Sequence, residues 1–365
     1  MDLIIFIVAL SILVLVHEFG HFFAARKTGV KVEEFGLGLP PRIIGKKIGD
    51  TIYSLNWLPI GGFCKLYGED PPSPEATEGQ VEKSKNYSFQ NKKPWQKLII
   101  VLGGVLMNLV LAVIIFSTVY AILGVPKETD RVTIIGISKN SPAEMVGLKE
   151  NDVILKVADK EIKKPEELMT EVGKYKGQNV KLEIGNDSVG NGLKPFRTIQ
   201  LEVRANPPEG EGAIGIAISN TEMVKVPWYR FYEGIGAGFK EAYYWGKIIG
   251  GGVFKMVGGL FTGNVPKDVS GPIGMYEATS SINKNQGFLA VVHFFGIVSV
   301  NLAIVNILPF PALDGGRIIF VLYEMIFKKK ANQKLEMVVN NIGMILLLSL
   351  ILLITVGDIR RVFIK

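Results

Sequence analysis

His17-Glu18-Phe19-Gly20-His21 is the part of this sequence best equipped for chemistry. Positions four apart share one face of a helix, so both imidazoles can reach a single metal ion from adjacent turns. Glu18 stands beside them, free to accept a proton from activated water. Imidazole and carboxylate donors suit zinc, which lowers the pKa of bound water to about 7. A hydrolytic zinc site uses three protein ligands and one open position, so a third ligand is required. The extended soluble-protease pattern puts histidine at position 27, but that residue is Lys27. Glu33 and Glu34 lie in polar sequence just beyond, His293 stands alone in a late apolar stretch, and Asp314 follows a cluster of prolines.

The elements that must position these residues are membrane spans. Windows 3–25, 98–124, 288–308 and 342–357 are almost wholly apolar, and of 41 basic and 34 acidic residues only Glu18 falls inside them. A spanning helix needs about 20 mainly apolar residues. A single soluble domain is therefore excluded, although only 48% of the 365 residues are hydrophobic. A charge in hydrocarbon costs at least ~2.5–3.5 kcal/mol, which marks Glu18 as functional rather than incidental. The single cysteine, Cys64, excludes a disulfide framework and a multi-thiolate metal site. The net charge of +7 suits a neighbour of anionic lipid. The basic residues lack aromatic interleaving, so no nucleic-acid partner is expected. Met1-Asp2-Leu3 has no basic n-region, so the first window is expected to be kept as a span.

Asp314 is the preferred third ligand. It closes Asn306-Ile307-Leu308-Pro309-Phe310-Pro311-Ala312-Leu313-Asp314-Gly315-Gly316, where prolines and glycines must interrupt a helix at membrane depth. Irregular backbone is tolerated there only inside protein or beside a wet cavity. Its plainer role would be to cap the helix that follows. Four segments are expected. Residues 1–124 hold two spans and a polar loop with strand-like pieces at 51–55 and 62–66, followed by a flexible connector over 70–93. Residues 125–212 form a compact exposed unit. Residues 213–286 include an amphipathic stretch, 228–261, lying on the membrane surface or forming an ordinary helix pair. Residues 287–365 hold the last two spans. Residues 26–97 carry 12 basic and 8 acidic residues, and Arg317, Lys328, Lys329, Lys330 and Lys334 follow the third span. Both connections should be cytoplasmic, with 125–286 and the two termini outside.

Taken together, the two motifs resemble the site-2 protease family, zinc metalloproteases that cut substrates within the membrane. Phe89-Gln90-Asn91-Lys92, and Thr262-Gly263-Asn264-Val265 leading to Ser270-Gly271-Pro272-Ile273, resemble its bacterial regulator-of-sigma-E protease branch. The resemblance implies one Zn2+ per chain on His17, His21 and Asp314, with Glu18 catalytic. It implies that Asn306, Pro309 and Pro311 shape the substrate-contacting segment. Leu58-Pro59-Ile60-Gly61-Gly62-Phe63-Cys64-Lys65 is similar to the family's membrane-associated β-loop, which implies substrate contact by Gly61, Gly62, Phe63, Cys64 and Lys65. Asn140-Ser141-Pro142-Ala143-Glu144, Gly147-Leu148 and Asp152-Val153-Ile154 fit one inserted PDZ domain, with Asn151 where glycine is usual. Gly103-Gly104-Val105 replaces the branch's Ala-Gly-Pro ahead of Asn108. The implied whole is a bacterial plasma-membrane bundle of about four helices with a β-loop and an α+β PDZ domain outside. Its active site would face the cytoplasmic side. Its substrates would be pre-trimmed single-span proteins such as anti-sigma factors, or remnant signal peptides, with peptide termini bound at the PDZ domain. Two other classes compete: a PDZ-bearing scaffold with a structural His-Glu-His cluster, and a transporter, which predicts internal half-repeats that the sequence lacks.

Overall fold

The computed structural model describes residues 1–69, 85–186, 195–208, 211–262 and 271–363. In chain order the elements are α1 (Asp2–Lys27), β1 (Val32–Ile48), β2 (Thr51–Leu66), α2 (Pro94–Leu123), β3 (Val125–Ile137), α3 (Pro142–Met145), β4 (Asp152–Val157), β5 (Lys160–Glu161) and α4 (Pro165–Gly173). They continue with β6 (Asn179–Asn186), β7 (Pro195–Glu202), β8 (Ile216–Val224), α5 (Phe231–Thr262), α6 (Pro272–Gln286), α7 (Phe288–Ile307), α8 (Asp314–Phe327) and α9 (Gln333–Phe363). Two compact units result: Met1–Ile122 with Trp228–Lys365, and Leu123–Pro227. Among the described residues four helices, α1, α2, α7 and α9, are long and apolar enough to cross a membrane. They cover the four apolar windows to within one residue.

The first unit is a helical bundle with a small sheet beside it. The α1 and α2 backbones meet at Gly20 and Gly103, where a Cβ on Gly103 would lie only 2.6 Å from the Gly20 carbonyl oxygen. Without side chains at the crossing the helices approach closely, as small residues permit in apolar surroundings. On another side of α1, Phe6 and Leu13 pack with Val291, Phe295 and Val298 of α7. These contacts fix both faces of the helix that carries the histidines.

The pieces expected at 51–55 and 62–66 belong to one long strand, β2. It and β1 bend back on themselves: residues 34–37 of β1 face 62–65 of β2 on one side and 52–55 on the other, while Arg42 faces Asn56 and Ile48 faces Thr51. Buried Asn56 ties the bend, donating from Nδ2 to the Gly38 carbonyl at 3.2 Å. Residues 62–66 thus form an outer edge, paired on one side only among the described residues. Residues 70–84 of the expected connector lie outside the described residues, as do 263–270.

The second unit is a six-stranded sheet in the order β7-β6-β4-β3-β8, with β5 added to β4. Its core is Ile134, Ile154, Val157, Leu182 and Ile184, all fully buried. Ser141 caps α3 through the Glu144 amide at 3.2 Å, with Pro142 in the first turn. Asn151 takes φ 71°, the left-handed conformation that asparagine tolerates. The unit continues past residue 212 to Pro227 because β8, which the sequence reading assigned to the next segment, pairs with β3 from Ile137↔Ile216 to Val125↔Val224. The stretch expected at 228–261 is one helix of 32 residues, α5, rather than a helix pair. It leaves Tyr232, Phe239, Tyr243, Tyr244 and Phe254 more than half exposed.

Candidate active site

Helix α1 presents His17 and His21 from successive turns, with their rings 4.8 Å apart. The third group comes from the opposite end of the chain. Helix α7 stops at Ile307 and α8 starts at Asp314, leaving 308–313 as the break that Pro309 and Pro311 impose. Ala312 in this segment adopts φ 73°, uncommon for a residue with a side chain. Leu313, not Asp314, is the N-cap residue of α8. Asp314 is thereby left to point at α1.

Asp314 Oδ2 lies 3.1 Å from His17 Nε2 and 3.3 Å from His21 Nε2. The two Nε2 atoms are 3.2 Å apart. Two ligands of a tetrahedral zinc with bonds of about 2.0–2.1 Å stand roughly 3.3 Å from each other, so this near-equilateral triangle fits zinc. Oδ2 is buried yet makes no hydrogen bond among the described residues. A buried acceptor left in that state needs a partner, and a cation held by all three atoms supplies one. Among the described residues these are the His, Cys, Asp and Glu side chains grouped closely enough to hold a metal ion. The second histidine is also oriented from behind, because its Nδ1 meets the Ile100 carbonyl of α2 at 2.9 Å. That bond puts the proton on Nδ1 and leaves Nε2 free as a ligand.

The other candidates are accounted for elsewhere. His293 Nε2 sits 3.4 Å from Glu241 on α5, with its ring against Phe116. Glu34 pairs with Arg42, and Glu33 lies 3.1 Å from Lys65. None is in the triangle.

The triangle opens on a cavity of about 500 Å³ whose lining includes Glu18, Phe63, Cys64, Asn306 and Arg317. That size is typical of a ligand site. Asn306 Nδ2 is 3.3 Å from His17 Nε2, at the metal-facing side of the ring. Gly62 brings the edge of β2 against α1, since a Cβ there would be 3.8 Å from Glu18 Cγ. Pro309, Pro311, Gly61, Gly62 and Lys65 are not among the described lining residues; Lys65 reaches Glu33 instead. Arg317 and Glu69, which pair with each other, both border the cavity and were missed as site residues. The available signal was spacing: Arg317 is three residues past Asp314 and so shares its helix face.

Over residues 5–350 the chain matches peptidase family M50. It belongs to that family. Two clostridial proteins that carry zinc-metalloprotease names align over nearly their whole length. The one from Clostridium acetobutylicum is 32% identical, over 98% of this chain and 97% of its own. The one from Clostridium perfringens is 33% identical, over 98% of both. Zinc metalloprotease RasP of Shouchella clausii is 28% identical over 99% of both chains. This M50 protein is a multi-pass intramembrane metalloendopeptidase of the site-2 type, with zinc as its cofactor.

Proposed function

We propose that His17, His21 and Asp314 hold the zinc and that Glu18 is the catalytic acid and base in cleavage of the transmembrane segments of single-span proteins. The observation that carries this is the triangle of 3.1–3.3 Å closed by a buried carboxylate oxygen that has no hydrogen bond among the described residues. Bound zinc supplies a Lewis acid that polarises a carbonyl and lowers the pKa of water. Glu18 takes the proton from the attacking water and delivers it to the departing amine nitrogen as the C–N bond breaks, leaving a carboxylate and an amine.

A helical substrate keeps its carbonyls in i→i−4 bonds and must unwind before attack. The outer edge at 62–66, which Gly62 brings beside Glu18, offers replacement backbone partners through strand addition. Gly61, Gly62, Phe63, Cys64 and Lys65 form that edge, and Asn306, Pro309 and Pro311 shape the facing segment. The second unit acts as a PDZ domain: β8 pairs only with β3 among the described residues, so its other edge can take an extended peptide terminus. Selection of termini favours substrates already trimmed, such as anti-sigma factors or remnant signal peptides in a bacterial plasma membrane. Charge placement puts the β1–β2 sheet and active site toward the cytoplasm and the second unit outside. The exposed aromatics of α5, interleaved with Lys240, Lys247 and Lys255, suit the membrane interface.

The test is co-expression of wild type or Glu18→Gln with a truncated single-span substrate, with zinc measured in both purified proteins. Cleavage should fall by on the order of 10²–10⁴-fold in the variant while zinc is retained. Equal cleavage would end the reading.

A further inference from the structure

Behind His17, the ring nitrogen opposite the triangle meets Asn108, which is completely buried on α2. The separation of His17 Nδ1 from Asn108 Nδ2 is 3.3 Å. A histidine that offers Nε2 to a metal carries its proton on Nδ1, so both facing atoms would be donors. At the same time Asn108 Oδ1 is buried with no hydrogen-bond partner among the described residues. One change answers both problems. The oxygen and nitrogen of an amide are told apart only by their hydrogen bonds. With the amide turned over, Oδ1 accepts from His17 Nδ1–H and the two donors no longer oppose each other. The NH2 then takes the other position on a residue that borders the active-site cavity.

Asn108 is also anchored. Its backbone carbonyl accepts from Ser299 Oγ of α7 at 2.8 Å, and Ser299 is itself fully buried. Helix α2 therefore backs both histidines, His21 through the Ile100 carbonyl and His17 through Asn108.

We propose that Asn108 is a positioning residue whose side-chain oxygen accepts from His17 Nδ1, fixing the tautomer and orientation in which His17 binds zinc. This rests on the zinc-ligand reading above. Groups that orient metal-bound histidines typically change metal affinity by about 10- to 100-fold when removed.

The experiment is chelator competition for zinc on the full chain in detergent, comparing wild type, Asn108→Leu, Asn108→Asp and His17→Ala. Asn108→Leu keeps the approximate volume but has no acceptor, and should bind zinc about 10- to 100-fold more weakly. Asn108→Asp restores an acceptor oxygen and should recover most of that loss. Equal affinity of Asn108→Leu and wild type overturns the proposal, as does Asn108→Asp binding as weakly as Asn108→Leu. A second measurement needs no variant: the chain has only three histidines, so ¹⁵N-histidine spectra of the zinc-loaded protein can locate the His17 proton. A proton on Nδ1 is expected, and one on Nε2 overturns the proposal. Wild-type affinity in His17→Ala would instead refute the ligand assignment itself.

Discussion

Adding one methyl group at Gly104 should disable the active site while leaving the chain folded. A Cβ built there lies 2.7 Å from His17 Cε1 and 2.8 Å from His17 Nε2, and closer still to His21 Nε2. Ordinary contact begins near 3.4 Å. His17 must therefore give by about 0.7 Å to relieve the overlap. Retreat of helix α2 would open the close packing of Gly103 on the α1 backbone at Gly20, so the strain falls on the side chains instead. The imidazoles have to swing out of the triangle. Misplacement by ~1 Å can cost on the order of 10²-fold in rate, so Gly104→Ala should cleave roughly 100-fold more slowly and bind zinc less tightly. Gly251→Ala on α5 is the control, since a Cβ there meets nothing within 4 Å among the described residues. In a helix that change is neutral or stabilising by up to ~1 kcal/mol. The assays are cleavage of a single-span substrate, zinc content, and the thermal unfolding midpoint. Wild-type cleavage and zinc content in Gly104→Ala would refute the argument that close backbone packing sets the geometry.

Two further expectations concern stability. Lys97 on α2 and Glu324 on α8 form a buried pair at 2.7 Å, and Glu324 also accepts from the Ala331 amide at 3.1 Å. Glu324→Ala strands a buried ammonium, which should cost about 3–5 kcal/mol and lower the unfolding midpoint. Glu324→Gln, whose single amide oxygen can still serve one of the two donors, should cost less, and equal loss from the two would show that a hydrogen-bond acceptor for the buried ammonium is not what sets the cost. In the second unit the Glu171 carboxyl is held below its ordinary value of 4.5, chiefly by the Lys174 ammonium at 2.7 Å. A carboxylate with a depressed folded pKa stabilises above the unfolded value, and that contribution fades as pH falls through the folded one. The hydrogen-exchange protection that wild type has over Glu171→Gln at pH 7 should therefore shrink below about pH 4.5. A difference that stays constant down to pH 3 would contradict this.

The sequence showed the spans because the cost of hydrocarbon burial is paid residue by residue, and charge-free runs reveal it without any tertiary knowledge. It likewise showed that His17 and His21 share a face, since 3.6-residue periodicity is local. The helix break before Asp314 followed from the prolines themselves. Local pattern favoured Asp314, just after that break, but could not exclude Glu33, Glu34 or His293, because distant partners are what separate the four. Arg42, Lys65 and Glu241 engage three of them, and only the fold brings those partners together.

The limits of the second unit were hidden for the same reason. β8 reads as part of the following segment until its pairing with β3, some 90 residues earlier in the chain, is seen. Gly103-Gly104 looked like a departure from a related pattern; packed, it is the surface on which α1 and its histidines rest. Periodicity and composition decided the helices, their apolarity and the motif they carry. Tertiary structure alone decided the three-atom triangle, because ångström-scale distances between residues 17, 21 and 314 depend on how helices pack and not on what any one helix contains.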